Sequence, residues 1–109
     1  MDILVQFFGR RRSTRVAEFA RRTLEHALDR FAGRVRDIRV RIRDENAQRG
    51  GQDHRCSLEL RLVDGGRLHL HDIADGPEPA LHTLARRANR MLGRRLHAAR
   101  RRRDRAGSP

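Results

Sequence analysis

The chain of 109 residues has room for one domain, which argues against a multidomain enzyme. Hydrophobic residues make up 37% of it, enough for one layer of helices on one sheet. Basic residues number 26, all of them Arg, against 14 Asp and Glu, and the formal net charge is +12. Nucleotide bias in a genome explains Arg in place of Lys but not this excess of positive charge. A polyanionic partner is therefore the first hypothesis.

The single cysteine and the hydropathy pattern indicate in which cellular compartment the protein is found. Cys56 alone builds neither an intramolecular disulfide nor a thiolate zinc site, which fits a reducing environment. The apolar run at residues 3–8 is too short and too early for a signal peptide, and no run is long enough to cross a bilayer. We expect a cytoplasmic protein with no membrane partner and no cofactor.

The first half of the chain predicts strand, helix, strand. Residues 3–8 are apolar on both alternating faces, which suits an internal strand. Residues 14–32 carry apolar side chains at spacings of three and four, with Ser13 or Thr14 as the N-cap and Gly33 as a left-handed stop. Residues 35–43 alternate strictly, as in a half-buried strand.

The second half predicts a hairpin and a basic helix. Cys56, Leu58 and Leu60 alternate with polar residues in a third strand, and a tight turn at residues 64–66 leads to a fourth. A polar loop covers residues 44–53, and Pro77 and Pro79 open a helix that Gly93 should make less regular. We assign residues 1–99 to the domain and 100–109 to a basic, disordered tail.

The element order β-α-β-β-β-α predicts an α+β fold. One apolar face per strand requires both helices to cover the same face of a four-stranded sheet, with the first two strands parallel. The opposite face is then open to water, and it carries Arg39, Arg41, Arg61, His69 and His71.

The candidates for catalysis are few. His69 and His71 share one strand face, but two surface histidines with no third ligand are weak support for a metal site. Cys56 lies in register with Leu58 and Leu60, so burial as a small hydrophobe is the simpler interpretation than a nucleophile paired with His54. We predict a protein that is not an enzyme, with no catalytic residue and no metal site.

The second helix carries the strongest signal. Arg87, Arg90, Arg94 and Arg101 recur at helical spacing along one stripe, here called the arginine ridge. Arg86, Arg95 and Arg100 widen it, and residues 81–103 contain no carboxylate. A solvated surface normally mixes signs, because like charges at these spacings repel. Guanidinium groups suit phosphate, and with so few aromatic residues, structured RNA is a better match than a single-strand stacking platform.

Two segments resemble a known family. Residues 39–46 read RVRIRDEN and residues 50–56 read GGQDHRC. Together with the element order and the basic second helix, they are similar to the ribosome hibernation promoting factor family, also called the ribosome-associated inhibitor or sigma-54 modulation family. Residues 87–94, which read RANRMLGR, match the family's alternating basic and apolar pattern in that helix.

The resemblance implies a fold related to double-stranded RNA-binding domains. It also implies binding to ribosomal RNA of the small subunit, in the channel for messenger and transfer RNA, and inhibition of translation during stress or stationary phase. The resemblance gives the RNA-contact role to Arg87, Arg90 and Arg94, and it extends to Arg22 in the first helix. The arginine ridge itself adds Arg86 and Arg101 as candidate RNA contacts.

The resemblance further suggests the short form of the family. Long members carry a second domain that pairs with its copy and joins two ribosomes, whereas residues 100–109 have no apolar strand pattern. We therefore expect a monomer on single ribosomes. Two alternatives stay open: another structured-RNA-binding or ribosome assembly protein, and a metal- or thiol-dependent enzyme built on His69, His71 and Cys56.

Overall fold

A computed structural model describes residues 1–45 and 53–106, and only the backbone of Glu45 and Ala106. Four strands and two helices follow one another as β1 (Asp2–Phe8), α1 (Thr14–Ala27), β2 (Val35–Glu45), β3 (Asp53–Leu62), β4 (Arg67–Ala74) and α2 (Pro77–Ala106). The α+β prediction is confirmed. Most of the predicted polar loop, residues 46–52, lies outside the described residues.

The sheet follows the chain order β1-β2-β3-β4, with β1 and β2 parallel and the other pairs antiparallel. In one row across it, Val5 pairs with Val40, Val40 with Leu58, and Leu58 with Leu70. All four are buried beneath the helices, together with Leu24 of α1. Because successive side chains of a strand point to opposite faces, the apolar residues of the four strands lie together on the one face that the helices cover.

The first strand is an edge strand, not the internal one that its apolar run predicts. Its inward residue Val5 is buried, but Leu4 and Phe8 on the other face are 52% and 37% exposed. Hydrophobicity on both faces does not distinguish a strand with neighbours on both sides from an edge strand that leaves apolar side chains in water. The consequence is an aromatic ring on the open face of the sheet.

The N-terminus of α1 agrees with the sequence prediction more closely than its C-terminus does. The Ser13 hydroxyl accepts a hydrogen bond from the Val16 amide at 3.2 Å, as an N-cap does. The helix stops at Ala27, before a 3₁₀ turn at Asp29–Phe31, and Gly33 does not have the left-handed backbone predicted for it. Gly65, at the turn between β3 and β4, does adopt a positive φ of 95°.

The second helix is longer and more regular than predicted. It continues through Gly93 and through residues 100–106, so the expectation of disorder from residue 100 is wrong for that stretch. Ala98, Ala99 and the following arginines are good helix formers, and Arg103 and Arg105 near the C-terminus favour the helix dipole. The core contains no described residue beyond Leu96, so the last turns extend past the sheet.

Candidate RNA interface

The arginine ridge lies mostly on the outer side of α2. Leu81, Leu84, Ala88 and Leu92 point into the core and fix the rotation of the helix. The opposite side of the helix therefore faces water, and it carries the exposed residues Arg86, Arg90, Arg94 and Arg101. Because a helix rises about 1.5 Å per residue, the line from Arg86 to Arg101 is about 22 Å long.

Arg87 is placed differently from the rest of the ridge. It is half-buried, and its guanidinium donates to the backbone carbonyl of His71 at 3.0 Å. His71 belongs to β4, an edge strand whose outer carbonyls have no neighbouring strand. Arg87 thus ties α2 to the sheet edge, a contact that helical spacing alone does not reveal.

Arg86 and Arg90 also border the groove between the two helices. Ala27 and Asn89 line its floor, and the Asn89 amide donates to the Ala27 carbonyl at 2.6 Å. That hydrogen bond satisfies a carbonyl at the end of α1 that has no partner within its own helix.

Arg22 is exposed on α1, between Phe19 and Ala27 in the sequence. The Phe19 ring contacts the His82 ring of α2 edge-on, with 5.2 Å between the ring centres.

Two acidic side chains near α2 pair with arginines outside the exposed row of the ridge. Glu78, in the first turn of α2, accepts from Arg15 at 2.9 Å. Asp64 lies 3.7 Å from Arg95, whose guanidinium folds back over Gly66 at the β3–β4 turn. Arg95 therefore faces the turn and does not widen the ridge as the sequence suggests.

A second group of arginines lies beneath the projecting part of α2. Arg30, Arg34, Arg100 and Arg103 line one hollow, and the Arg30 guanidinium lies 4.5 Å from the centre of the Phe31 ring. Gly93 lies beside this arginine, because a Cβ there would be 3.4 Å from Arg30 Nη2. The cationic surface thus extends from α2 onto the turn after α1.

The residues proposed for an enzyme do not converge. Cys56 is fully buried on the covered face, and desolvation raises the pKa of its thiol to about 12. His69 and His71 are exposed on the opposite face, where His69 lies 3.5 Å from Glu59. Within residues 1–45 and 53–106, no three His, Cys, Asp or Glu side chains are grouped as a metal site requires. One sheet therefore separates the thiol from both imidazoles.

His54 instead takes part in a polar cluster with Asp44 and Arg10. Its Nδ1 lies 2.6 Å from an Asp44 carboxylate oxygen, and Arg10 approaches the same oxygen at 3.4 Å. These side chains join the segment after β1 to the ends of β2 and β3, where Asp44 and His54 are register partners. Periodicity does not bring Arg10 to this cluster, because the contact depends on how β1 pairs with β2.

Several solved structures have a fold similar to that of this chain. A ribosomal subunit interface protein from Coxiella burnetii has a TM-score of 0.72 at 14% identity, covering 89% of this chain and 99% of that one. The Protein Y N-terminal domain of Thermus thermophilus has a TM-score of 0.69 at 16% identity, covering 86% and 98%. A proposed lipoprotein from Caulobacter crescentus CB15 follows at 0.51 and 17% identity, covering 87% and 91%.

The first two neighbours belong to the hibernation-factor family, so the resemblance drawn from the sequence is confirmed in the fold. No protein-family model and no curated protein matches the sequence. In the described part of the chain, no helix has the length and apolar character needed to span a membrane.

Proposed function

We propose that this protein binds ribosomal RNA of the small ribosomal subunit in the cytoplasm and inhibits translation, promoting ribosome hibernation under stress or in stationary phase. The observation that carries the proposal is the outward row Arg90, Arg94 and Arg101 on α2, in a stretch without carboxylates, on the fold of a ribosomal subunit interface protein. The protein acts by binding to RNA and does not catalyse a reaction.

Each exposed guanidinium of the row offers a planar fork of donors that matches two phosphate oxygens. Arg90, Arg94 and Arg101 lie along one side of a continuous helix, so they can contact successive points on an RNA backbone. Arg86 adds a contact beside the row, and Arg22 adds one from α1. Arg87 contributes by holding α2 at the edge of β4.

A membrane surface is a poorer partner for this helix. An amphipathic helix on lipid inserts its apolar side, whereas Leu84, Ala88 and Leu92 are buried against the sheet. RNA phosphates require only the cationic side, which is exposed. The binding surface and the core thus use opposite sides of α2.

The direct test is sedimentation of a stationary-phase lysate on a sucrose gradient, with detection of the protein in each fraction. Migration with free small subunits and intact ribosomes is expected. Migration with RNA lacking ribosomes would favour another structured-RNA-binding or assembly protein and would overturn the proposal.

Charge reversal tests the surface. R90E/R94E changes two exposed side chains and should abolish binding to purified small subunits and inhibition of translation in vitro. R36E/R67E makes the same charge change at exposed positions in β2 and at the start of β4, and it should bind nearly as the unmodified protein does. Equal loss in both variants would indicate a nonspecific charge effect and remove the ridge from the site.

R87E/R90E/R94E reverses three ridge residues together, and it should also abolish binding. Because Arg87 donates to the His71 carbonyl, this variant should melt at a lower temperature than R90E/R94E. Full binding by the folded triple variant would move the site elsewhere.

A further inference from the structure

The projecting end of α2 borders a hollow, which we call the helix-end hollow. Four arginines from two separate parts of the chain line it: Arg30 and Arg34 from the stretch between α1 and β2, and Arg100 and Arg103 from α2. Leu96 is the last residue of α2 that packs against the core, so residues 97–106 extend about 15 Å beyond it. One wall of the hollow is therefore the packed domain, and the other is the free end of the helix.

The helix-end hollow lies on a different side of α2 from the outward row. An α-helix turns by about 100° per residue, so the consecutive residues Arg100 and Arg101 leave it in directions about 100° apart. Arg100 and Arg103 line the hollow, whereas Arg101 continues the row of Arg90 and Arg94. The end of α2 thus offers guanidinium groups in two directions, and the proposed function uses only one of them.

Two of the four arginines are held by the fold. The Arg30 guanidinium lies 4.5 Å from the centre of the Phe31 ring and donates to Asn89 Oδ1 at 3.5 Å, and neither contact supplies a negative charge. The Arg34 amide donates to the Phe31 carbonyl at 2.8 Å, and the Arg34 carbonyl accepts from the Val63 amide at 3.0 Å. Both cations are therefore carried on a backbone or a side chain that is already ordered, which lowers the entropy cost of binding a ligand.

The nearest carboxylates leave the helix-end hollow with an excess of positive charge. Within residues 1–45 and 53–106, no Asp or Glu is among the residues that line it. Asp64 lies in the adjacent hollow, where it accepts from the Gly66 amide at 2.7 Å and lies 3.7 Å from Arg95. Asp29 and Asp104 are sequence neighbours of two lining arginines, and Asp104 has a contact of its own. These three carboxylates are fewer than the four guanidinium groups of the lining.

Phosphate is the ligand chemistry that suits this arrangement. A guanidinium group donates two parallel hydrogen bonds to phosphate oxygens. The aromatic ring of the hollow, Phe31, is only 6% exposed and lies against Arg30, so it cannot stack on a base. The hollow is open along the free end of α2, which leaves room for a polymer to continue past it. A phosphate backbone therefore fits better than a nucleobase or an isolated small molecule.

We propose that the helix-end hollow is a second phosphate-binding site, which takes a backbone segment of structured RNA against Arg34, Arg100 and Arg103 while the outward row binds another segment. The free end of α2 then lies between two RNA segments. The inference rests on the proposed function for the class of ligand, and it adds a surface that neither the sequence resemblance nor the proposed function uses.

The test measures binding of a fluorescent RNA that folds into two adjacent stems to the full chain, by anisotropy. R34Q/R103Q should weaken binding about tenfold or more, because two phosphate contacts are lost. R36Q/R67Q removes the same charge at exposed positions outside the hollow and should change binding little. All four side chains are exposed, so both variants should melt near the temperature of the unmodified protein. Equal loss of binding in the two double variants would overturn the proposal.

A combined variant tests whether the two segments bind at the same time. R90Q/R94Q should weaken binding of the two-stem RNA by a factor of its own. R34Q/R90Q/R94Q/R103Q should weaken it by about the product of the two factors, because contacts at separate sites contribute additively to the free energy. A combined loss no greater than that of R90Q/R94Q would mean that the hollow binds no segment of its own, and the proposal would fail.

Inorganic polyphosphate tests the other source of the same chemistry. R34Q/R103Q should weaken binding of the two-stem RNA whether or not it also weakens binding of polyphosphate. If it weakens polyphosphate binding alone and binds the RNA as R36Q/R67Q does, the hollow is a site for free polyphosphate and the proposal is overturned.

Purified small subunits distinguish this inference from the proposed function. If the unmodified protein does not bind them but binds the two-stem RNA, and R34Q/R103Q weakens that binding, only the proposed function is overturned. If R90E/R94E loses small-subunit binding while R34Q/R103Q binds both ligands as R36Q/R67Q does, only this inference is overturned.

Discussion

Cys56 illustrates how one residue reports on the register of the whole sheet. Its side chain is fully buried between its register partners Ile42 and Asp72. Cys56→Ser should lower the free energy of unfolding by about 1–3 kcal/mol, because a hydroxyl that lacks a partner is costly to bury. Urea unfolding followed by circular dichroism measures the change. An unchanged midpoint would mean that the thiol is exposed and the register is shifted by one residue.

The same thiol should resist alkylation. Burial raises its pKa to about 12, so little of the reactive thiolate exists near neutral pH. Labelling by iodoacetamide should therefore be slow in buffer and fast in denaturant. Alternation with Leu58 and Leu60 predicts the burial from the sequence alone, whereas Arg87 looks identical to its neighbours until β4 is placed beside it.

At the scale of elements, the pairing of β2 with β3 includes a titratable contact. Arg61 Nε donates to Asp37 at 2.9 Å, and this hydrogen bond lowers the pKa of the Asp37 carboxyl. A lowered folded-state pKa stabilises the protein above the unfolded value and ceases to do so as the pH falls through the folded value. The contact should therefore contribute at neutral pH and not in acid.

A double-mutant cycle of D37N and R61Q measures that contribution. The coupling free energy should be favourable at about pH 6 and should decrease in acid, as the pH falls through the lowered pKa of the folded-state Asp37 carboxyl. Its size should be small, because both side chains are solvated. A coupling that persists unchanged in acid would show that packing, and not charge, connects the two residues.

Element boundaries follow the sequence where a local interaction sets them. The Ser13 cap and the turn at Gly65 depend on a few adjacent residues, and both occur as predicted. The carbonyl at the end of α1 accepts a hydrogen bond from the distant Asn89, and the exposure of β1 depends on strand order. Those features follow from tertiary contacts, which periodicity does not encode.

For the whole molecule, we expect ribosome binding to depend strongly on salt. With about six phosphate contacts, the slope of log K against log salt should be of order four to five. Filter binding to small subunits between about 50 and 200 mM salt measures the slope. Affinity that does not change over this range would contradict phosphate recognition by the arginines of α2.

The open face of the sheet also predicts a monomer. Arg39, Arg41 and Arg61 are all exposed there, and self-pairing of that face would bring like charges together. Light scattering on the purified protein should give the mass of one chain, and gradients of ribosomes mixed with the protein alone should show no linked pairs. A dimeric mass would mean that Leu4, Phe8 and Ile73 outweigh the charges.

The position of α2 at the end of the fold has a consequence for synthesis. Leu81, Leu84 and Leu92 cover part of the sheet, so that part of the apolar face stays exposed while α2 is still inside the translating ribosome. The four strands and α1 emerge first, and until α2 follows they present a hydrophobic surface that is prone to aggregation. The nascent chain therefore cannot complete its core before α2 is made, and the intermediate that consists of the four strands and α1 is an aggregation-prone stage of synthesis.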